Sequence, residues 1–142
     1  MQPLDPIRCG LPHREPFIFI DAVVALDPGQ SAVCTKRFAP AEPFFRGHFP
    51  GHPLVPGVIL TEAAAQTAGI AAGETGRTYH LSAIRQMKFI RSVSPDSVVE
   101  FAAAKTGGMS GLLQFHVSAR VAGELVAEGV IVLSEAVRGI DD

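Results

Sequence analysis

The apolar positions of this chain change their spacing twice, and the changes divide it into three stretches. From Phe17 to Leu26, "FIFIDAVVAL", β-branched and aromatic residues crowd together, Asp27-Pro28-Gly29 supplies a turn, and a second extended segment runs from Ser31 to Phe38. That composition predicts two strands joined as a hairpin. Prolines and glycines then fill Pro40 to Pro56, which predicts a loop with one short turn near Glu42. From Val58 to Ala72 proline is absent and alanine dominates, with Pro56 just ahead and Gly73 just beyond. Alanine favours helix, proline is tolerated at a helix start and glycine caps a helix end, so this stretch is the one strong helix. It is apolar on nearly every side, which predicts that other structure wraps it.

After the helix come "YHLSAIRQMKFI", "SVVEFAAAK", "GLLQFHVSARV" and "ELVAEGVIVLS", each of strand length with partial alternation. Ser94-Pro95-Asp96, Gly107-Gly108 and Ala122-Gly123 punctuate them as predicted turns. Connections this short make neighbouring strands antiparallel. Two strands, a buried helix and four more strands predict an α+β fold, a curved antiparallel sheet around a long central apolar helix, with residues 1–142 as a single domain.

Composition narrows the options. A chain of 142 residues suits one core, and 47% hydrophobic against 18% charged residues is an apolar excess that predicts an oligomer burying one face. A net charge of -2, with Lys and Arg scattered, offers no grip on a phosphate backbone, so nucleic acid is not an expected partner. Cys9 and Cys34 lie in unrelated settings, and nothing at the amino terminus has the regions of a secretory signal. The expectation is a reduced, cytoplasmic protein without a membrane segment.

The chemistry concentrates in "FRGHFPGHPLVPGVILTEAAAQ", Phe45 to Gln66. Glu62 interrupts an apolar run, and Gln66 lies four residues on, so the two share a helix face bordered by Thr61. Such a stripe must meet a partner. Desolvation disfavours a charged carboxylate, which makes Glu62 a candidate for a raised pKa and for a general acid; the alternative is a structural Glu that binds loop amides or an arginine. His48 sits between glycines and a proline in a rigid bend, a candidate base or else a solvated or packing residue, and His52 has that same solvated or packing reading. Their spacing resembles a helical metal-binding pair, but Pro50 and Pro53 impose a non-helical path and no third ligand is evident, so no metal is expected. The amide of Gly57, at the start of the helix, is a free donor at the positive end of the dipole. A base, an acid and a donor for a carbonyl oxygen describe proton abstraction beside a carbonyl with loss of a neighbouring hydroxyl. No Gly-rich phosphate loop appears, since "GETGRT" lacks its lysine, so no bound cofactor is expected.

The run "EPFFRGHFPGHPLVPGVILTEAAAQ", with "LPHREPFIFIDAV" before it and "MKFIRSVSPD" after it, closely resembles the (3R)-hydroxyacyl-acyl carrier protein dehydratases of bacterial fatty acid synthesis. The likeness extends from about Leu11 to the final strand and implies the hotdog fold. It implies that His48 removes the α-proton of a thioester, that Glu62 assists departure of the hydroxyl as water, and that the Gly57 amide holds the thioester carbonyl. Gln66, which stands where the family commonly has a glutamine near the acidic residue, would support the substrate together with Pro56, Phe45 and Phe49; Phe44, Phe45 and Phe49 read either as lining of the acyl channel or as core residues. In the family, His and Glu of one site come from two subunits of a homodimer, and trimers of dimers, hence hexamers, are common. The partner this implies is an acyl carrier protein bearing a phosphopantetheine-linked acyl chain; Arg85, Lys88 and Arg91 are either its contacts or a solvated surface, with alternation placing Lys88 opposite the two arginines.

Three departures stand out: Glu15 where an aromatic residue is frequent, Ala41 where asparagine is frequent, and Ile90 to Asp96 without the usual Arg-Pro and Pro-Gly-Asp steps. The last leaves a specialised polyketide or polyene substrate open. The double-bond-isomerising relatives use Asp at the acid, so Glu62 favours plain dehydration. A hotdog thioesterase, with water activated by Glu62, and a non-catalytic acyl-binding subunit are the competing functions.

Overall fold

Helix α1 (Gly57–Ala72) begins one residue before the apolar run, because Pro56 takes the N-cap position and leaves Gly57 as the first helical residue. It ends where Gly73 turns left-handed, φ 57°, a conformation glycine adopts without steric cost. The computed structural model describes residues 2–73 and 77–136; part of "GETGRT" therefore lies outside the described residues.

Six strands complete the fold: β1 (Ala22–Asp27), β2 (Ser31–Arg37), β3 (Tyr79–Phe89), β4 (Val98–Met109), β5 (Leu112–Val121) and β6 (Glu124–Glu135). They form one antiparallel sheet in the order β1-β2-β4-β5-β6-β3, and α1 lies against it, chiefly on β4, β2 and β5. The sheet gives the helix an apolar bed of Phe101, Val117, Phe115 and Ile131, on which Leu60, Ala63, Ala64, Ile70 and Ala71 are buried. Alanines let the helix approach closely, and the phenylalanines fill the space that short side chains leave. Burying such a phenylalanine is worth about 3 kcal/mol or more against alanine. The far end of α1 is tied down as well: the Gly29 amide in the β1–β2 turn donates to the Ala71 carbonyl at 2.8 Å.

Three expectations are corrected. Phe17 to Ile20 is not a strand, because no ladder partner reaches it; the Gln66 carboxamide takes the Phe17 carbonyl and the Phe19 amide instead, each at 3.0 Å. Gly107-Gly108 is not a turn but part of β4; the turn is Ser110-Gly111, where both residues have positive φ, and at Gly108 the chain passes close to Leu113, whose Cδ2 would lie 2.8 Å from a Cβ there. The face assignment of the basic residues also fails. Arg85 falls in a β-bulge and Arg91 lies beyond the end of β3, paired with Glu124 at 3.2 Å, so alternation does not relate either to Lys88. The turn near Glu42 is a short 3-10 helix, Pro43–Arg46.

The two edges of the sheet differ. Leu4 covers β1 through paired 2.8 Å bonds with Val23. Among the described residues nothing pairs with the outer edge of β3, although Leu81, Ile84 and Phe89 are exposed along it.

Candidate active site

The loop before α1 is built to hold His48. The His48 amide donates to the Phe44 carbonyl at 3.0 Å, its carbonyl accepts from the Leu54 amide at 2.9 Å, and the Val55 amide reaches the Val93 carbonyl at 2.8 Å. The ring is fixed by Nδ1, 3.1 Å from the Leu54 carbonyl. A carbonyl can only accept, so Nδ1 carries the proton and Nε2 is left with a free lone pair. His48 thus holds the tautomer of a base.

His48 and Gly57 line one cavity of about 300 Å³ with Leu60, Phe89 and Arg91. No side chain caps this end of α1 and no acidic residue stands in its first turn. The donors and partial positive charge of the helix start therefore face the cavity uncompensated, as an anionic oxygen requires. Gly57 also makes room for Phe89, whose ring would lie 3.0 Å from a Cβ at that position.

Glu62 lies elsewhere. It lines a second cavity of about 140 Å³ with His13, Tyr79, His80 and Leu81, and the two cavities have no lining residue in common among the described residues. Gln66 is 1% exposed, so its amide must be satisfied internally, and it is. Its Oε1 accepts from the Phe19 amide, which fixes the orientation of the group and turns Nε2 toward the Phe17 carbonyl and toward Glu62 Oε2, 3.2 Å away. The polar stripe of the helix thus meets a backbone segment and a histidine rather than an arginine. His13 Nε2 stands 3.5 Å from the same Oε2. Thr61 takes no part, since its hydroxyl bonds back to the Gly57 carbonyl at 2.9 Å.

Burial pushes the His13 pKa below the ordinary histidine value; the Glu62 carboxyl opposes this and His80 adds to it. His13 carries no sign of this role in the sequence, because the contact is made only when the segment before β1 folds across α1. The remaining expected residues are placed as follows. Phe45 is buried in the core against Phe44, Pro56 is buried at the helix start, and Phe49 is 54% exposed and stacked on His48 at 4.3 Å. His52 is exposed. Cys34 is fully buried, and burial raises its thiol to about 12 against an opposing hydrogen bond with Thr67, so it is no nucleophile. Another cavity, of about 610 Å³, lies at the far end of α1 between Gly29, Lys105 and Glu135 and contains none of the expected site residues. Among the described residues no group of three His, Cys, Asp or Glu side chains could hold a metal ion, and no helix is long and apolar enough to cross a membrane.

The architecture defines the class. It matches the dehydratase heterocomplex ApeI:P from Xenorhabdus doucetiae with a TM-score of 0.80 at 18% identity, covering 95% of this chain and 93% of that one. It also matches Cj0977, a sigma28-regulated virulence protein from Campylobacter jejuni, with a TM-score of 0.72 at 14% identity, covering 94% and 88%. The chain has the hotdog fold. A FabA-like domain family matches residues 11–130. Similar proteins include the 3-hydroxyacyl-[acyl-carrier-protein] dehydratase FabZ of Ruminiclostridium cellulolyticum, 41% identical over 129 residues, covering 88% of this chain and 91% of that protein. The FabZ of Acidiphilium cryptum is 41% identical over 128 residues, covering 86% and 78%. The chain belongs to the FabA-like family, within its FabZ-type dehydratases, and is a hydro-lyase.

Proposed function

We propose that this enzyme removes water from a (3R)-3-hydroxyacyl chain carried as a thioester on the phosphopantetheine arm of an acyl carrier protein, giving the trans-2-enoyl thioester. The observation that carries the reading is the His48 imidazole, anchored through Nδ1 with Nε2 free, beside the uncapped start of α1. His48 Nε2 takes the α-proton, and the electron pair moves toward the thioester oxygen, which the Gly57 amide stabilises. The pair then forms the α,β double bond as the β-carbon loses its hydroxyl, which takes a proton from Glu62 and leaves as water. Hydration runs the same path backwards.

Within one chain the base and the acid line separate cavities at opposite ends of β3, Phe89 at one and Tyr79 to Leu81 at the other. An antiparallel pairing of β3 with the β3 of a second copy brings the Glu62 end of each chain to the His48 end of the other. It also closes an edge that otherwise invites aggregation. We therefore assign the working unit to a homodimer with two shared sites, which can assemble further into a trimer of dimers, acting in the cytoplasm. Arg91 at the mouth of the His48 cavity, with Arg85 and Lys88 on β3, is the candidate surface for the acidic carrier.

The test is interconversion of a short trans-2-enoyl thioester and its (3R)-hydroxy form by wild type, His48→Ala and Glu62→Gln. Reversible hydration in the wild type, abolished in both folded variants, is the expected result. Release of free thiol would make the protein a thioesterase, and binding without turnover an acyl-binding subunit.

A further inference from the structure

Glu62 has two oxygens, and the structure treats them differently. Gln66 Nε2 donates to Oε2 at 3.2 Å, and His13 Nε2 lies 3.5 Å from the same atom. The other nitrogen of His13, Nδ1, is buried with no hydrogen-bond partner, while the ring stacks on Phe17 at a centroid distance of 6.0 Å. An imidazolium would bury an unsatisfied N–H at Nδ1, whereas the tautomer protonated at Nε2 leaves only a lone pair there. That tautomer turns its one proton toward Glu62.

We propose that His13 is a positioning residue: it donates from Nε2 to Glu62 Oε2 together with Gln66, so that Oε1 is the oxygen that carries the proton given to the departing hydroxyl. The inference rests on the dehydratase reading above and adds to it a residue and the choice of oxygen. Two N–H donors on Oε2 prevent that oxygen from holding the acid proton, and they fix the carboxyl plane from two directions. Burial disfavours the charged ring, so His13 holds Glu62 by a directed donor and not by a full charge. The groups that face His13 are Glu62 from α1 and Tyr79 and His80 from β3, and the neighbouring Arg14 is turned onto the Leu11 and His13 carbonyls.

The experiment has a kinetic arm and an activity-independent arm, both on the full chain. His13→Phe keeps a ring to stack on Phe17 and removes the donor; His13→Gln keeps a neutral donor. Expected is a fall in kcat of roughly 10- to 100-fold in His13→Phe with little change in KM, the scale of a displaced catalytic group, and recovery of most of it in His13→Gln. A folded His13→Phe with kcat within about twofold of wild type, or equal losses in both variants, would overturn the proposal. In the second arm, nitrogen NMR of the imidazole is expected to show protonation at Nε2 near neutral pH, and a pKa that falls further in Glu62→Gln, since that change removes the carboxyl that favours the charged ring. A proton on Nδ1, or a titration indifferent to Glu62→Gln, sinks the positioning role. Absence of turnover in the wild type would count against the dehydratase reading alone, and the NMR arm would still decide this one.

Discussion

A half-buried histidine with one nitrogen beside a carboxyl and the other, itself buried, without a partner makes folding sensitive to acid. The His13 pKa is lowered in the fold, first by burial, so the unfolded chain binds the proton more readily. Stability from this group is therefore complete above the unfolded histidine value of about 6.5 and is lost as the pH falls from there through the folded pKa. Denaturant titrations at fixed protein concentration, at pH 7.5 and 5.5, should show a loss in the wild type that is smaller in His13→Gln; an equal loss in both would remove His13 as the cause. At this scale the sequence was half legible. His48, Gly57, Glu62 and Gln66 stood in one quotable stretch, and the Gln66–Glu62 face followed from helical spacing alone. His13 was equally visible as a letter and silent as a role, because what gives it a role is a contact across the fold.

The elements show where local patterns win and where they yield. Helix α1 was readable at both ends, since Pro56 and Gly73 act through their own backbone preferences. Phe17 to Ile20 has the composition of a strand but found a side chain where a strand partner was needed, and no local pattern carries that information. Gly107-Gly108 was misleading for the opposite reason: glycine marks close approach as well as turns. Gly129 in β6 is a further case. A Cβ there would run into the backbone of Gln86, at the second bulge of β3. Gly129→Ala should therefore destabilise the protein by about 1–3 kcal/mol and loosen β3 from β6. Thermal melts together with hydrogen exchange along β3 check this, and an unchanged melting temperature with full β3 protection would refute it.

At the scale of the whole molecule, the separation of His48 from Glu62 makes a sharp prediction. If each site takes one residue from each of two chains, His48→Ala and Glu62→Gln complement one another. Unfolding and refolding an equal mixture should restore about a quarter of wild-type activity, because half the dimers are mixed and each mixed dimer has one intact site. Neither parent alone should show it, and a mixture as inactive as its parents would mean that one chain supplies both groups. The apolar composition predicts an oligomer without saying where two copies would meet; the strand order adds that β3 ends at an edge, which is the place proposed for that pairing.

The two-residue turns at Ser110-Gly111 and Ala122-Gly123 bear on how the chain reaches this state. They make β4, β5 and β6 a meander of contacts close in sequence, whereas β3 joins β6 by pairing Tyr79 with Glu135 and Phe89 with Ala127. Near contacts close faster than far ones, so the meander should gain hydrogen-exchange protection before β3 in a pulse-labelled refolding experiment, and β3 protected first would contradict this. During synthesis the order is awkward. The water-averse segment from Val58 to Ala72 leaves the ribosome when only β1 and β2 of the sheet that shelters it exist, so the nascent chain must carry most of that segment uncovered until β4 and β5 have been made.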